Sequence, residues 1–150
     1  MKILVVVLLL VLAGCCRNGA SHVEPSYPTE ELGWKNFDSE IDGVLLQGRF
    51  VLHKGEATDN GKLRIKVLEL IPPNRCAEGG AFDAQARVRF QFIRLSDQQV
   101  LCEDVFPEHG GGFITPCRDR VAELGVSSIG IRSINLKEGW VFFGCSYFRS

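Results

Sequence analysis

The sequence predicts an all-β fold: an antiparallel β-sandwich of six or seven short strands with at most one short helix. One observation is a period of two in hydrophobicity, which is clearest in residues 84–95, where apolar and polar side chains alternate. Another is the series of turn signals between apolar runs, among them Asp59-Asn60-Gly61. Alternation indicates strands with one buried and one solvated face, so two packed sheets are expected, and an immunoglobulin-like topology is compatible with the pattern.

The first half of the domain supplies four of these strands. Residues 44–53 form the first, and the polar segment 54–62 turns the chain into the second, residues 63–71, which ends at two prolines. The third strand covers residues 84–95, with Val88, Phe90 and Phe92 on the core face. A turn at residues 96–98 leads into residues 100–106, so these last two strands are expected to form an antiparallel hairpin.

The second half predicts three further strands and the helix. Residues 113–114 begin a short strand, and a helix follows with Thr115 as its N-cap, Pro116 in its first turn and Gly125 at its end. Residues 129–136 form the next strand, and residues 140–148 form the last. Residues 140–143 are all apolar, which predicts a central strand covered on both faces.

The N-terminus carries an export signal. Lys2 precedes an apolar run over residues 3–13, and the run ends in Leu12-Ala13-Gly14-Cys15. This ending resembles the lipobox of bacterial lipoproteins, which implies cleavage before Cys15 and a diacylglycerol on its thiol. The alternatives are a secretory signal cut near Ala20 and an uncleaved anchor, although the run falls short of the roughly 20 apolar residues that a spanning helix needs.

The resemblance also implies a domain plan and a location. Residues 1–14 are the signal peptide, residues 15–31 a flexible tether rich in proline and small polar residues, and residues 32–150 the sandwich domain. Residue 16 is Cys rather than the Asp that retains enteric lipoproteins in the inner membrane. We therefore expect an exported protein, held by its lipid in the outer membrane and facing the periplasm where the host has two membranes.

The cysteines predict two disulfide bonds. Besides Cys15 and Cys16, the domain holds four cysteines, and an exported chain meets an oxidising compartment. Four cysteines allow three connectivities, of which we favour Cys102–Cys117, across the glycine-rich loop 108–112, together with Cys76–Cys145. The alternative, metal ligation, finds no CxxC pair and no histidine at zinc spacing, so no metal or other cofactor is predicted.

The motifs that could carry chemistry are sparse. His109-Gly110-Gly111-Gly112 matches the letters of the lipase oxyanion-hole motif, but the Gly-x-Ser-x-Gly elbow which that motif requires is absent. We therefore predict a loop there. Glu108 beside His109 is the only candidate acid–base pair, and no catalytic residue is assigned.

Charge patterning gives a candidate binding face. The chain has 17 Lys and Arg against 18 Asp and Glu, a net charge of −1, which offers no footprint for nucleic acid. Arg64 and Lys66 alternate on one predicted strand, and Arg87 and Arg89 alternate on another. If these strands are neighbours, the four side chains form a basic patch for an acidic glycan, lipid head groups or an acidic protein. The alternative is an ordinary solvated sheet face.

These features favour a lipid-anchored binding or structural module of the cell envelope without catalytic activity. Its partners would be the membrane, through the N-terminal lipid, and an envelope protein or glycan. One alternative is an inhibitor of a foreign hydrolase such as lysozyme, because membrane-bound lysozyme inhibitors are similar in size, anchor and class. The other is a small envelope enzyme that uses Glu108 and His109.

Overall fold

The computed structural model describes residues 23–36, 44–74, 84–112, 120–121, 124 and 126–148. Within these ranges the chain forms nine strands: β1 (Gly33–Asn36), β2 (Val44–His53), β3 (Ala57–Asp59), β4 (Leu63–Ile71), β5 (Arg87–Arg94), β6 (Gln99–Pro107), β7 (Gly111–Gly112), β8 (Val126–Asn135) and β9 (Trp140–Phe148). The predicted β-sandwich is confirmed. The sequence missed β1 and β3 because strands of three or four residues are too short to show a period of two.

The strands form two antiparallel sheets. Sheet A has the order β1-β2-β9-β8-β7, and sheet B has the order β3-β4-β5-β6. Strands that are consecutive in the sequence pair with each other, except where the chain crosses from one sheet to the other, after β2 and after β6. The pairing of β2 with β9 then joins the first long strand to the last. This is a meander, so the topology differs from the Greek-key connections of an immunoglobulin domain.

The core lies between the sheets and follows the predicted alternation. Leu63, Ile65 and Val67 of β4 are buried, as are the core-facing residues of β5. The Phe90 ring meets the rings of three other phenylalanines edge to face, at centroid distances of 5.4 to 5.8 Å, and one of them is Phe143 of sheet A. Edge-to-face pairs add about 0.5–1.5 kcal/mol to the gain from burial, so this contact fastens the two sheets together.

Strand β9 is central in sheet A and buried on both faces, as its sequence predicted. Val141 and Phe143 belong to the core between the sheets, whereas Trp140 and Phe142 alternate with them and lie on the other face. All four side chains are at most 7% exposed. The outer face of sheet A must therefore be covered by another part of the chain.

Part of that cover is the N-terminal strap, which we define as residues 25–30. The Asn135 side-chain amide donates a hydrogen bond of 2.9 Å to the carbonyl of Pro25. The Tyr27 ring meets the Trp140 ring edge to face at 5.7 Å, and Arg49 pairs with Glu30 at 2.6 Å. The predicted tether, residues 15–31, thus includes a segment that contacts the folded domain.

The cysteines correct one predicted disulfide. Cys145 is a free, buried thiol, so the Cys76–Cys145 bond is not borne out. Its side chain lies on the core-facing side of β9 among apolar residues, and burial raises the pKa of the thiol. Cys102 is disulfide-bonded. Cys117 and Cys76 lie outside the described residues, so the Cys102–Cys117 pairing stays a prediction.

The predicted helix also stays a prediction. Thr115, Pro116 and Gly125 lie outside the described residues, although residues 120 and 121 have helical backbone. Across the ranges that the structure describes, no helical segment combines the length and the hydropathy needed to cross a bilayer.

Gly48 of β2 yields a test of this packing. Trp34 of β1 lies against the Phe50 ring with a centroid distance of 4.3 Å, in the space left free by the missing side chain at position 48. A Cβ at residue 48 would collide with the Phe50 ring and lie 2.7 Å from Trp34 Cε3. We expect Gly48→Ala to lower the free energy of unfolding by about 1–3 kcal/mol, as overpacked cores do, in a urea titration.

Gly130→Ala is the matched control. It also lies in a strand of sheet A, but its added Cβ would come no closer than 3.8 Å, to the carbonyl oxygen of Gly110. A loss of stability as large in Gly130→Ala as in Gly48→Ala would contradict this account of the Trp34–Phe50 contact.

Candidate functional site

The structure brings the four predicted basic residues onto one face. Strands β4 and β5 are antiparallel neighbours, with Glu69 opposite Arg89 and Ile71 opposite Arg87. Arg64 and Lys66 alternate with the buried residues of β4, and Arg87 and Arg89 alternate with those of β5. All four side chains therefore project from the outer face of sheet B, away from the core.

This face carries both signs of charge. Arg64 pairs with Asp59 of β3 at 3.2 Å, and Arg89 pairs with Glu69 at 2.9 Å and more loosely with Glu103 of β6 at 3.8 Å. The predicted basic patch is thus partly neutralised by acids that only the strand register brings beside it. The paired side chains are 37% to 48% exposed, and exposed pairs are worth about 0–1 kcal/mol, so a binding partner can replace them.

Lys66 lies in the middle of this face. The register places it between Ala57 of β3 and Gln91 of β5, neither of which carries a charge. No ion pair joins Lys66 to any residue that the structure describes. Its ammonium group is therefore the cation of this face that is most available to a partner.

The two broad faces of the sandwich differ in kind. The outer face of sheet A buries Trp140 and Phe142, and the strap lies across part of it. The outer face of sheet B presents half-exposed charged side chains. Sheet A also carries exposed charged residues, among them Arg49 and Arg132, but the strap lies over part of its outer face. Among the described residues, the outer face of sheet B therefore offers the polar, accessible character of a recognition surface without the strap across it.

A cavity of about 290 Å³ lies where the β5–β6 turn begins, and its lining includes Arg94, Gln99, Leu101 and Arg120. Arg94 donates to both carboxylate oxygens of Asp97, at 2.8 and 3.1 Å, and these bonds hold the pKa of Asp97 below its usual range. Arg120 donates to the carbonyl of Leu101 at 2.9 Å. Both guanidinium groups thus stabilise the turn and the edge strand β6. Neither arginine belongs to a motif that the sequence makes recognisable.

Glu108 and His109 lie where the chain crosses from sheet B to sheet A, and Glu108 has a structural role there. The Glu108 carboxylate accepts a hydrogen bond from the backbone N–H of Ile134 at 3.0 Å, which links the end of β6 to sheet A. His109 is exposed, with a φ of +57°, in the turn between the sheets. The next glycines use their backbone in pairing: Ile131 donates to the Gly110 carbonyl at 2.7 Å, and Gly111–Gly112 form β7. The predicted loop is therefore correct only as far as Gly110, since the last two glycines of the motif form the edge strand β7 of sheet A.

The predicted turn at residues 59–61 and the neighbouring pair of His53 and Glu56 also have local roles. Asn60 accepts from the backbone of Leu63 at 2.8 Å, so Asp59-Asn60-Gly61 is the expected turn. Glu56 accepts two bonds from His53, at its backbone and at Nδ1, and these lower the pKa of Glu56. Within the described part of the chain no three potential metal ligands cluster.

Asp104 is a polar residue on the core side of an edge strand. The register places it opposite Phe90, and its Oδ1 accepts from the N–H of Val105 at 2.8 Å, while its Oδ2 is buried without a hydrogen-bond partner. Burial raises the pKa of this carboxyl group. An inward-pointing charge is one way to keep an edge strand from pairing with another chain. In the sequence, Asp104 lies two residues after Cys102 and two before Phe106, both of which pack against the core. This period of two is the sequence signal that places Asp104 on the core side of the strand.

Asp104→Asn tests this environment. Because the folded state holds the Asp104 proton more tightly than the unfolded state does, stability is lost as the pH rises through the raised pKa. The measurement is a set of urea titrations at several pH values. At neutral pH we expect the variant to be as stable as the wild type, or more stable by less than about 1 kcal/mol. It should lose this advantage at pH values below the usual pKa range of Asp.

Asp97→Asn is the control, because the pKa of Asp97 is shifted in the opposite direction to that of Asp104. Its pKa is lowered, so its contribution is present at neutral pH and is lost on acidification. A clear loss of stability at neutral pH in Asp104→Asn would contradict this account, because it would show that the charged Asp104 side chain stabilises the fold.

Comparison of the chain with known protein families, curated proteins and solved structures gave no match.

Proposed function

We propose that this protein is a lipid-anchored module of the bacterial cell envelope that binds an envelope protein through the outer face of sheet B. The observation that carries the proposal is the difference between the two broad faces. The chain that comes from the lipobox cysteine lies over sheet A as the strap, and it leaves the charged face of sheet B on the other side of the sandwich. Anchor and recognition surface thus use separate sheets.

The arrangement of charges favours a protein partner over an acidic glycan. Glu69 and Glu103 flank Arg89, so a polyanion would meet carboxylates as well as cations. A protein surface with both signs of charge can instead match each of them, which gives specificity and faster association. The alternative of a small enzyme loses support, because the Glu108 carboxylate holds a backbone amide.

The anchor is tested with Cys15→Ser. The wild-type protein is expected to lack residues 1–14 and to carry the mass of acyl chains on Cys15, because two or more chains give stable attachment. The variant is expected to lack that mass and to leave the membrane fraction, as intact-mass spectrometry and flotation would show. Unchanged mass and membrane retention would refute the lipobox assignment.

The binding face is tested by charge reversal at Lys66. The tagged, full-length protein is cross-linked in its native envelope, and captured proteins are quantified by mass spectrometry. Lys66→Glu places a like charge where the partner meets a cation, and we expect about tenfold less of the main captured protein, corresponding to about 1.4 kcal/mol. Lys66 is preferred to Arg89 because reversal at Arg89 would set three carboxylates side by side.

Arg132→Glu makes the same change of charge on sheet A, at an exposed position of β8, and is expected to leave capture unchanged. Thermal unfolding of both variants checks that the fold is retained. Equal capture by wild type and Lys66→Glu would contradict the proposed face, and a capture with no enriched protein would contradict the class of partner.

A further inference from the structure

We propose that one end of the sandwich, the strap end, lies on the membrane and that Val23, Tyr27 and Leu136 contact the lipid there. We define the strap end by the β8–β9 turn, residues 136–139, and the β2–β3 turn, residues 54–56. The proposal rests on the lipid anchor of the proposed function, and it adds the orientation of the domain and a surface that contacts lipid.

The length of the chain limits how far this end can be from the lipid. Cys15 and Val23 are separated by few residues, and even a fully extended chain gains at most about 3.6 Å per residue, so Val23 lies within about 30 Å of the acylated cysteine. The chain then reaches the domain at a fixed place, because Asn135 holds the Pro25 carbonyl at 2.9 Å.

That place is one end of the sandwich. Asn135 and Trp140 are opposite each other in the register and flank the β8–β9 turn, and Trp140 is also opposite His53, the last residue of β2. Both turns therefore project from the same end. The Glu108 carboxylate, which bonds to Ile134, brings the end of β6 to this side, so β6 begins, with Gln99 and Val100, at the far end.

Exposed apolar side chains are concentrated at the strap end. In the ranges that the structure describes, the exposed large hydrophobic residues are Val23 (86%), Tyr27 (51%), Val100 (48%) and Leu136 (36%). All of these except Val100 belong to the strap end: Tyr27 packs on Trp140, Val23 precedes the strap, and Leu136 follows Asn135. Tyrosine suits a membrane surface because its ring is apolar and its hydroxyl remains in contact with water.

The charges at this end indicate what kind of contact forms. Within the described ranges, the exposed charged residues of the two turns and of the segment that leads into the strap are of both signs: Lys54 and Lys137, with Glu24, Glu56 and Glu138. They provide no excess of positive charge that would attract anionic lipid. The contact is therefore apolar, reinforced by the high local concentration that the anchor creates, and it does not require anionic head groups.

The test is hydroxyl-radical footprinting of the mature, lipidated protein on phosphatidylcholine vesicles. Attachment is first established by flotation. The reference is the Cys15→Ser protein mixed with the same vesicles. We expect modification of Tyr27 and Leu136 to fall severalfold in the anchored protein, in 0.1 M and in 0.5 M salt, roughly a twofold change in Debye length. Val100 is the internal control at the far end, and its modification is expected to be unchanged.

The outcomes separate this proposal from the anchor itself. If the wild-type protein does not float with vesicles, the lipid anchor fails and the orientation fails with it. If it floats while Tyr27 and Leu136 stay as reactive as in Cys15→Ser, the anchor stands and the domain does not rest on the membrane. Equal protection at Val100 would show contact without a preferred end. Leu136→Ser is expected to weaken the protection of Tyr27, and Val100→Ser is expected to leave it unchanged.

Discussion

The structure depends on the burial of β9 on both faces. Its odd-numbered core residues, Val141 and Phe143, meet sheet B, while Trp140 and Phe142 face the other way and need a cover of their own. A central strand can bury both faces only if each is covered by another part of the chain. One cover is the meander of sheet B, fastened by the contact between Phe90 and Phe143. The strap supplies part of the other through Tyr27.

The free thiol of Cys145 follows from the same constraint. A position on the core side of a central strand, opposite Gly48, is surrounded by aromatic and aliphatic side chains. A cysteine there packs as a small hydrophobic residue. Oxidising conditions favour disulfides between cysteines that can reach each other, and geometry decides which ones can.

Because the strap lies over part of one broad face, the two broad faces of the sandwich are not equivalent. The charged face of sheet B stays available because its ion pairs are exposed and individually weak, and Lys66 lies among uncharged neighbours. In the proposed arrangement, the strap fixes where the chain from the lipid anchor meets the domain, and this determines which end is nearest the lipid. In the proposed arrangement the recognition face stands to the side of the membrane, where a partner in the envelope can reach it.

The sequence by itself determined the class of fold, most of the long strands, the turn at Asn60 and the central position of β9. These features depend on local periodicity and turn chemistry, which act over a few residues. It also showed that Arg64, Lys66, Arg87 and Arg89 share a face if their strands are neighbours. Only the tertiary structure decided the rest: the acids beside the arginines, the free state of Cys145, the structural role of Glu108 and the docking of the strap. Each of these depends on contacts between residues distant in the chain, and such contacts are set by sheet order and register, which local patterns leave open.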